Sequence, residues 1–376
     1  MDSNKNQFPI NDTHCYLNHA AVAPWPRCAS DAVQKFAQEN MNSGAEHYMS
    51  WLTLETKLRS NIAALIQSRP DQIALVKNTS EALSFVAYGI EWHQGDVVVI
   101  PDEEFPSNSI VWESLSNKGV VVKKVSVKGD DPEAALLEAI AQKPKLISVS
   151  AVQYATGIRL NLERLGDACR QHDVLYCVDA IQAVGALAFD VEAIQCDFAM
   201  ADGHKWMLGP EGLGFFYVAD RVLDHLTLNE YGWHMVENPG NYYQTEWEIA
   251  ADARRFECGS PNLLAAHALH ASTSLLLEHG IHQVETDIQE RCLYLSERLR
   301  SLGAAMITPE HAIGASGILT VTSGDQDPID AWRALMAQRV ICMHRGGGLR
   351  FSPHFHTPFS VLDEAAERAA SVCHWR

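Results

Sequence analysis

The sequence predicts an α/β protein: a large, doubly wound, mostly parallel sheet domain followed by a smaller α+β domain at the C-terminal end. Three observations carry this expectation. Between about residues 55 and 220, apolar runs without polar alternation recur: DVVVIP at 96–101, VVVKKVSV at 120–127, KLISVSAV at 145–152, VLYCVDA at 174–180, DFAMAD at 197–202 and GFFYV at 214–218. Such runs suit strands covered on both faces, as in a parallel sheet. Amphipathic segments with helical spacing lie between them, LERLGDACRQH at 162–172 being the clearest. After about residue 256 the texture changes to long helical patterns at 262–280 and 284–303, then a strand-like ILTVTS at 318–323. The expected division is a large domain over 20–255 and a small one over 256–376, with residues 1–19 as an N-terminal arm. A chain of 376 residues has length for two or three cores.

Composition narrows the function classes. Lys and Arg number 29 against 47 Asp and Glu, a net charge of −18. That balance repels nucleic-acid backbones and anionic lipid, so neither is an expected partner. The opening MDSNKNQ has no apolar core of a secretory signal, and no segment offers about 18 uninterrupted apolar residues. The cytoplasm is the expected location. Nine cysteines form no CxxC pair and their number is odd, which reads as reduced thiols. His354 and His356 could share a strand face toward a metal, but no neighbouring Cys or Glu cluster completes a site, so no metal is expected.

In an open parallel sheet, ligands sit past the carboxyl ends of the strands. The signatures GxxxxGK[ST], HExxH and GxSxG are absent, and no GxGxxG opens a helix after the first strand. At the strand ends stand Asp179, Gln182 three residues on, and Lys205 in ADGHKWMLGPEGLG. A partly desolvated lysine keeps a free amine able to condense with an aldehyde. A carboxylate on a pyridine nitrogen keeps that ring an electron acceptor. Acid and amine at successive strand ends therefore point to pyridoxal phosphate. Taken singly, Asp179 reads better as a helix cap and Lys205 as an ordinary solvated lysine.

Six ordered blocks decide between these readings: YLNHAAVAP at 16–24, NTSEAL at 78–83, VDAIQAVG at 178–185, GHKWMLGPEGLG at 203–214, RFECGSPN at 255–262 and LRFSPHFHTP at 349–358. Together they resemble the class V aminotransferase family of fold type I pyridoxal phosphate enzymes, which includes cysteine desulfurases, selenocysteine lyases, kynureninases and isopenicillin N epimerases. The resemblance implies that Lys205 holds the cofactor and Asp179 its ring nitrogen. It places Thr79 and Ser80 on the phosphate, Phe105 on the ring face, Gln182 on the phenolic oxygen and His204 near the phosphate. Ser260 corresponds to a residue reaching the neighbouring subunit's phosphate, which implies a homodimer with shared active sites. Arg350 corresponds to the arginine that takes the substrate α-carboxylate.

The match departs from each subfamily. Desulfurases carry a persulfide-forming cysteine shortly before the carboxylate-binding arginine; here residues 344–349 read HRGGGL, and Cys342 ends an apolar run and is expected to be buried. Asp202 stands where desulfurases have a small hydroxyl residue, and it has no assigned role. VQYATG at 152–157 and Arg345 look more like kynureninase. Tyr154, Trp233 and His234 are candidates to shape the substrate pocket. The expected activity is therefore a lyase acting on an α-amino acid through an external aldimine and quinonoid, cleaving at Cβ without a persulfide cysteine. The alternative is amino transfer to a 2-oxo acid.

Overall fold

The twelve strands of the computed structural model, which describes residues 7–243 and 245–375, fall into three sheets. They are β1 (Cys15–Tyr16), β2 (Ile73–Val76), β3 (Val97–Pro101), β4 (Val121–Val125), β5 (Leu146–Ser150), β6 (Leu175–Asp179), β7 (Phe198–Asp202), β8 (Gly214–Val218), β9 (Leu319–Val321), β10 (Val340–Ile341), β11 (Met343–Arg345) and β12 (Gly348–Phe351). The large sheet runs β2-β8-β7-β6-β5-β3-β4. Only β8 opposes its neighbours, pairing antiparallel with β2 and β7. All six apolar runs form strands here, and β5, β7 and β8 are buried along their whole length. Covering on both faces is what removed polar alternation from their sequences.

Two differences from the expected pattern have local causes. The run at 120–127 forms a strand over Val121–Val125 only, at the sheet edge, with exposed and half-buried residues. Its lysines, Lys123 and Lys124, suit an edge that must not recruit further strands. Strand β2 comes from IALV, four residues that stand out by neither length nor alternation.

The chain moves from β3 outward to β4, then returns to the other side of β3 to lay down β5, β6 and β7. A crevice opens at such a reversal of order. Helices Arg27–Ser43 and Tyr48–Leu65 pack against Leu263–His279.

The hydrophobic interior is in two clusters. The larger surrounds the seven-stranded sheet and takes in Leu269 and Leu276. The smaller gathers Leu295, Leu299, Leu319, Leu335, Phe351 and Leu362, together with Cys15 and Leu17 from the N-terminal arm. β1 pairs in parallel with β10, and Asn18 bridges to Ser352, so the described part of the arm is sewn to the C-terminal region. Residues 1–6 of the expected arm lie outside the described residues. Among the described residues no helix is long and apolar enough to cross a membrane.

Candidate active site

The segments that follow β3, β5, β6 and β7 converge on one cavity of about 320 Å³ at the carboxyl ends of the strands. Asp179 ends β6 and Asp202 ends β7. Lys205 lies three residues further, in a turn closed by the Leu208 N–H donating to its carbonyl at 3.1 Å. The segment after β6 approaches this turn closely: a Cβ on Gly185, at φ +94°, would stand 2.4 Å from the Trp206 carbonyl. Only glycine fits there.

Both central groups are withdrawn from water, Asp179 being 1% and Lys205 8% exposed. Burial pushes the Asp179 carboxyl up to about 6, against the Ile181 N–H and the Lys205 charge. Burial pulls Lys205 down to about 8; Asp179 resists this, while Arg350 and Arg345 add to it. The amine is therefore available in its neutral, nucleophilic form far below the ordinary lysine range. Its Nζ stands 5.5 Å from the centroid of the Phe105 ring, which meets Tyr154 edge-on at 5.3 Å. Phe105 thus offers a flat apolar face across the cavity from the amine.

At another side of the cavity the helix Thr79–Gly89 begins. Asn78 caps it by accepting from the Glu81 N–H at 2.9 Å. Thr79 is buried and its Oγ1 has no partner, while Ser80 Oγ donates to Ser107 Oγ at 2.9 Å. Free first-turn N–H groups and the positive helix end suit an anion such as phosphate. His204 Nδ1 lies 3.1 Å from Asp202 Oδ1, without the alignment of a hydrogen bond. Asp202 therefore has a neighbouring imidazole to face.

Gln182 also lines the cavity, with most of its amide engaged: Oε1 accepts from Trp206 Nε1 at 2.8 Å and Nε2 donates to Ala20 O at 3.0 Å. One amide hydrogen is left for a ligand. Arg350 is buried and donates through Nη1 to the Tyr154 carbonyl at 2.6 Å, while its Nε has no partner.

Eight of the nine residues assigned from the sequence, Thr79, Ser80, Phe105, Asp179, Gln182, His204, Lys205 and Arg350, line this one cavity. Ser260 does not; it lines a separate hollow with Lys77, Glu230 and Cys258. Tyr154 is in the cavity wall, whereas Trp233 and His234 are not. Sequence reasoning gave no role to Ser107 or to Ala20, Ala21 and Val22, which follow the arm, all of which line it. The arm was visible as the YLNHAAVAP block, but nothing in that block says which cavity its backbone closes.

Cys342 is buried 1% exposed, and burial pushes its thiol up to about 12. None of the nine cysteines lines the cavity. His354 and His356 are buried beside His19. His19 Nδ1 faces the Ser352 carbonyl at 2.9 Å and must donate to it, so its Nε2 accepts from His356 Nε2 at 3.2 Å. His354 Nε2 faces the Trp206 carbonyl at 3.1 Å. These imidazoles are spent on one another and on backbone. Glu55, His234 and Glu257 approach closely enough to hold a metal ion, but Arg59 already bridges both carboxylates.

The donor set fits pyridoxal phosphate: an orphaned buried hydroxyl at a helix N-terminus for the phosphate, a flat ring face, a buried acid, and a lysine with a lowered pKa. Fold and site together define a fold type I enzyme that uses this cofactor. The chain belongs to the class V aminotransferase family, whose model matches residues 15–357.

Among its relatives, a probable cysteine desulfurase of Methanothermobacter thermautotrophicus is 30% identical, over 91% of this chain and 86% of that protein. An uncharacterized aminotransferase of Bacillus subtilis is 26% identical, over 97% of this chain and 96% of that protein. The fold is shared with the cystine C-S lyase C-DES, solved with its product cysteine persulfide, at a TM-score of 0.89 and 22% identity over 97% of this chain and 99% of that one. A lysine-to-alanine mutant of C-DES was solved with glycine covalently linked to pyridoxal phosphate.

Proposed function

We propose that this enzyme is a lyase that takes an α-amino acid and cleaves a bond at its Cβ, a carbon-sulfur bond or one of related polarity, with no persulfide formed on the protein. The observation that carries the reading is the buried Lys205 amine, its pKa drawn down by burial to about 8, in a cavity lined by no cysteine. Bound there, pyridoxal phosphate supplies an electron sink that acidifies the substrate Cα. Lys205 is the group placed to take that proton and to return one. Asp179 would keep the ring nitrogen protonated, and its burial would strengthen that pairing. Arg350 fixes the α-carboxylate, which sets how the substrate's other bonds stand relative to the ring. Thr79, Ser80 and His204 would hold the phosphate end, and Phe105 would cover the ring face.

The names of the desulfurase relative and of C-DES support carbon-sulfur cleavage. The absence of cysteine from the hairpin ahead of Arg350 supports a route without enzyme thiol. We also propose a homodimer, in which Ser260 serves the neighbouring subunit's phosphate from outside its own cavity, and a cytoplasmic location.

The test is to incubate the cofactor-loaded enzyme with a panel of amino acids and measure pyruvate, alanine, sulfide and the amine form of the cofactor. Pyruvate plus a released thiol or sulfide supports cleavage at Cβ by elimination. Alanine plus sulfide points to desulfuration. Accumulation of the amine form, reset by a 2-oxo acid, replaces the lyase reading with transamination.

A further inference from the structure

Two arginines share the cavity, and neither has an acid to pair with among the described residues. Both stand on the hairpin β11–β12, whose two-residue turn is Gly346–Gly347 at φ +60° and +81°. Positive φ at both turn positions is what such a tight hairpin demands. The register sets Arg345 opposite Gly348 and Met343 opposite Arg350. Residues directly opposed point to the same side, so Arg345 and Arg350 project from one face as diagonal neighbours, roughly 7–8 Å apart at their Cα atoms. Like charges so placed repel.

The structure does nothing to relieve them. Arg350 is 2% exposed, has one hydrogen bond to a carbonyl, and its Nε is orphaned. Burial first, then the charge of Arg345, draws its pKa down to about 10. Half-buried Arg345 makes one bond, to the His344 carbonyl at 3.2 Å. The cavity acids Asp179, Asp202 and Glu211 lie beyond ion-pair distance of both. Acids outnumber bases 47 to 29 in this chain, so two unmatched cations in one cavity cannot reflect a shortage of carboxylates. An unpaired buried cation is costly, and it is tolerable where a ligand supplies the anion.

We propose that Arg345 is a specificity residue that binds a second anionic group, so that the substrate is an amino acid with an acidic side chain, carboxylate or sulfinate. The α-carboxylate lies on Arg350 and the distal acid on Arg345. This rests on the reading above that an α-amino acid occupies the cavity with its carboxylate on Arg350. Arg345 touches the part of the substrate that leaves or remains beyond Cβ, so it selects substrate without taking part in proton transfer.

The test compares pairs that differ in the distal charge, L-aspartate with L-asparagine and L-cysteine sulfinate with L-cysteine, measuring dissociation constants on the cofactor-loaded enzyme. The acidic member is expected to bind about 10- to 100-fold more tightly, as for one charge-assisted contact. Arg345→Gln removes that preference and leaves the neutral members within about twofold, while Arg345→Lys restores part of it. Equal binding of both members, tighter binding of the neutral ones, or a loss in Arg345→Gln that is the same for both overturns the proposal. If the Gln variant does not fold, the wild-type preference and the Lys variant still decide it. Should neutral amino acids react while acidic ones are ignored, the substrate class falls and the lyase reading stands. A purified protein that takes up no cofactor on Lys205 sinks the lyase reading itself.

Discussion

Two arginines withdrawn from water in this protein, one half-buried and one buried, are treated in opposite ways. Arg59, beneath the sheet, gives Nη1 to the Ile73 carbonyl at 2.6 Å and to Glu257 at 2.5 Å, and Nη2 to Glu55 at 3.0 Å. Burial works to lower its pKa, but Glu257 and then Glu55 more than compensate, and it ends above its ordinary value. Arg350 is buried more deeply and has only a carbonyl, and it ends below. One charge is satisfied by the fold; the other is not. The contrast separates a structural ion cluster from a binding site more sharply than burial or residue type can.

The largest expected effect falls on the reactive side. Lys205→Ala should reduce turnover by about 10⁴-fold or more while leaving the fold intact, and borohydride should then fix no cofactor to the protein. The two arginines come next. Arg59→Met strands two buried carboxylates and is expected to cost about 3–5 kcal/mol in urea unfolding, with activity per folded molecule little changed. Arg350→Gln should do the reverse: a fall of about 100-fold in kcat/KM with stability unchanged or slightly raised, because it removes an unpaired charge. Equal destabilisation by both substitutions would erase the distinction.

A smaller effect tests the coupling of acid and amine. Apoprotein should take up cofactor at a rate that rises with pH through about 8, because only the neutral Lys205 amine reacts. Asp179 holds that value up, so Asp179→Asn should move the midpoint lower; a midpoint that stays put, or moves up, contradicts the geometry.

The smallest concerns Glu104, buried under the site and accepting from the Ser150 N–H at 2.7 Å and from the Ser150 hydroxyl. Burial raises its pKa from the ordinary 4.5 to about 7. Between those values the folded protein holds a proton that the unfolded chain has released, so stability falls as pH rises from about 4.5 to 7. Glu104→Gln should flatten part of that fall in urea midpoints, leaving the share of Asp179 and Asp197, each raised to about 6.

Much of this was legible in the sequence for identifiable reasons. Five of the six apolar runs announced their strands because both faces are covered, the edge strand β4 being the exception. Asp179 at the end of one run and Lys205 just past another pointed to the site because they stand where an open sheet binds its ligands. Strand β2 was silent because four residues carry no period. Trp233 and His234 illustrate the limit of composition: aromatic residues cluster in cores and pockets alike, and only packing shows that His234 belongs with Glu257, 3.7 Å away, and not with Lys205. The unmatched state of Arg345 was equally invisible, since a sequence shows which charges exist but not which ones find each other. Ser260 shows a different limit, because its expected partner belongs to another copy of the chain.

The stitching of the arm to the C-terminal region has a mechanical corollary. Ser352 donates its N–H to the Leu17 carbonyl at 2.8 Å, and its Oγ accepts from the Ala20 N–H at 3.0 Å, two residues beyond Arg350. Residues Ala20 to Val22 form part of the cavity wall, and the Ala20 carbonyl accepts from the amide of Gln182. If Arg350 takes the substrate's carboxylate and Gln182 the cofactor's phenolic oxygen, as proposed, these few bonds would couple capture of the acid end to the seat of the cofactor in a single stroke.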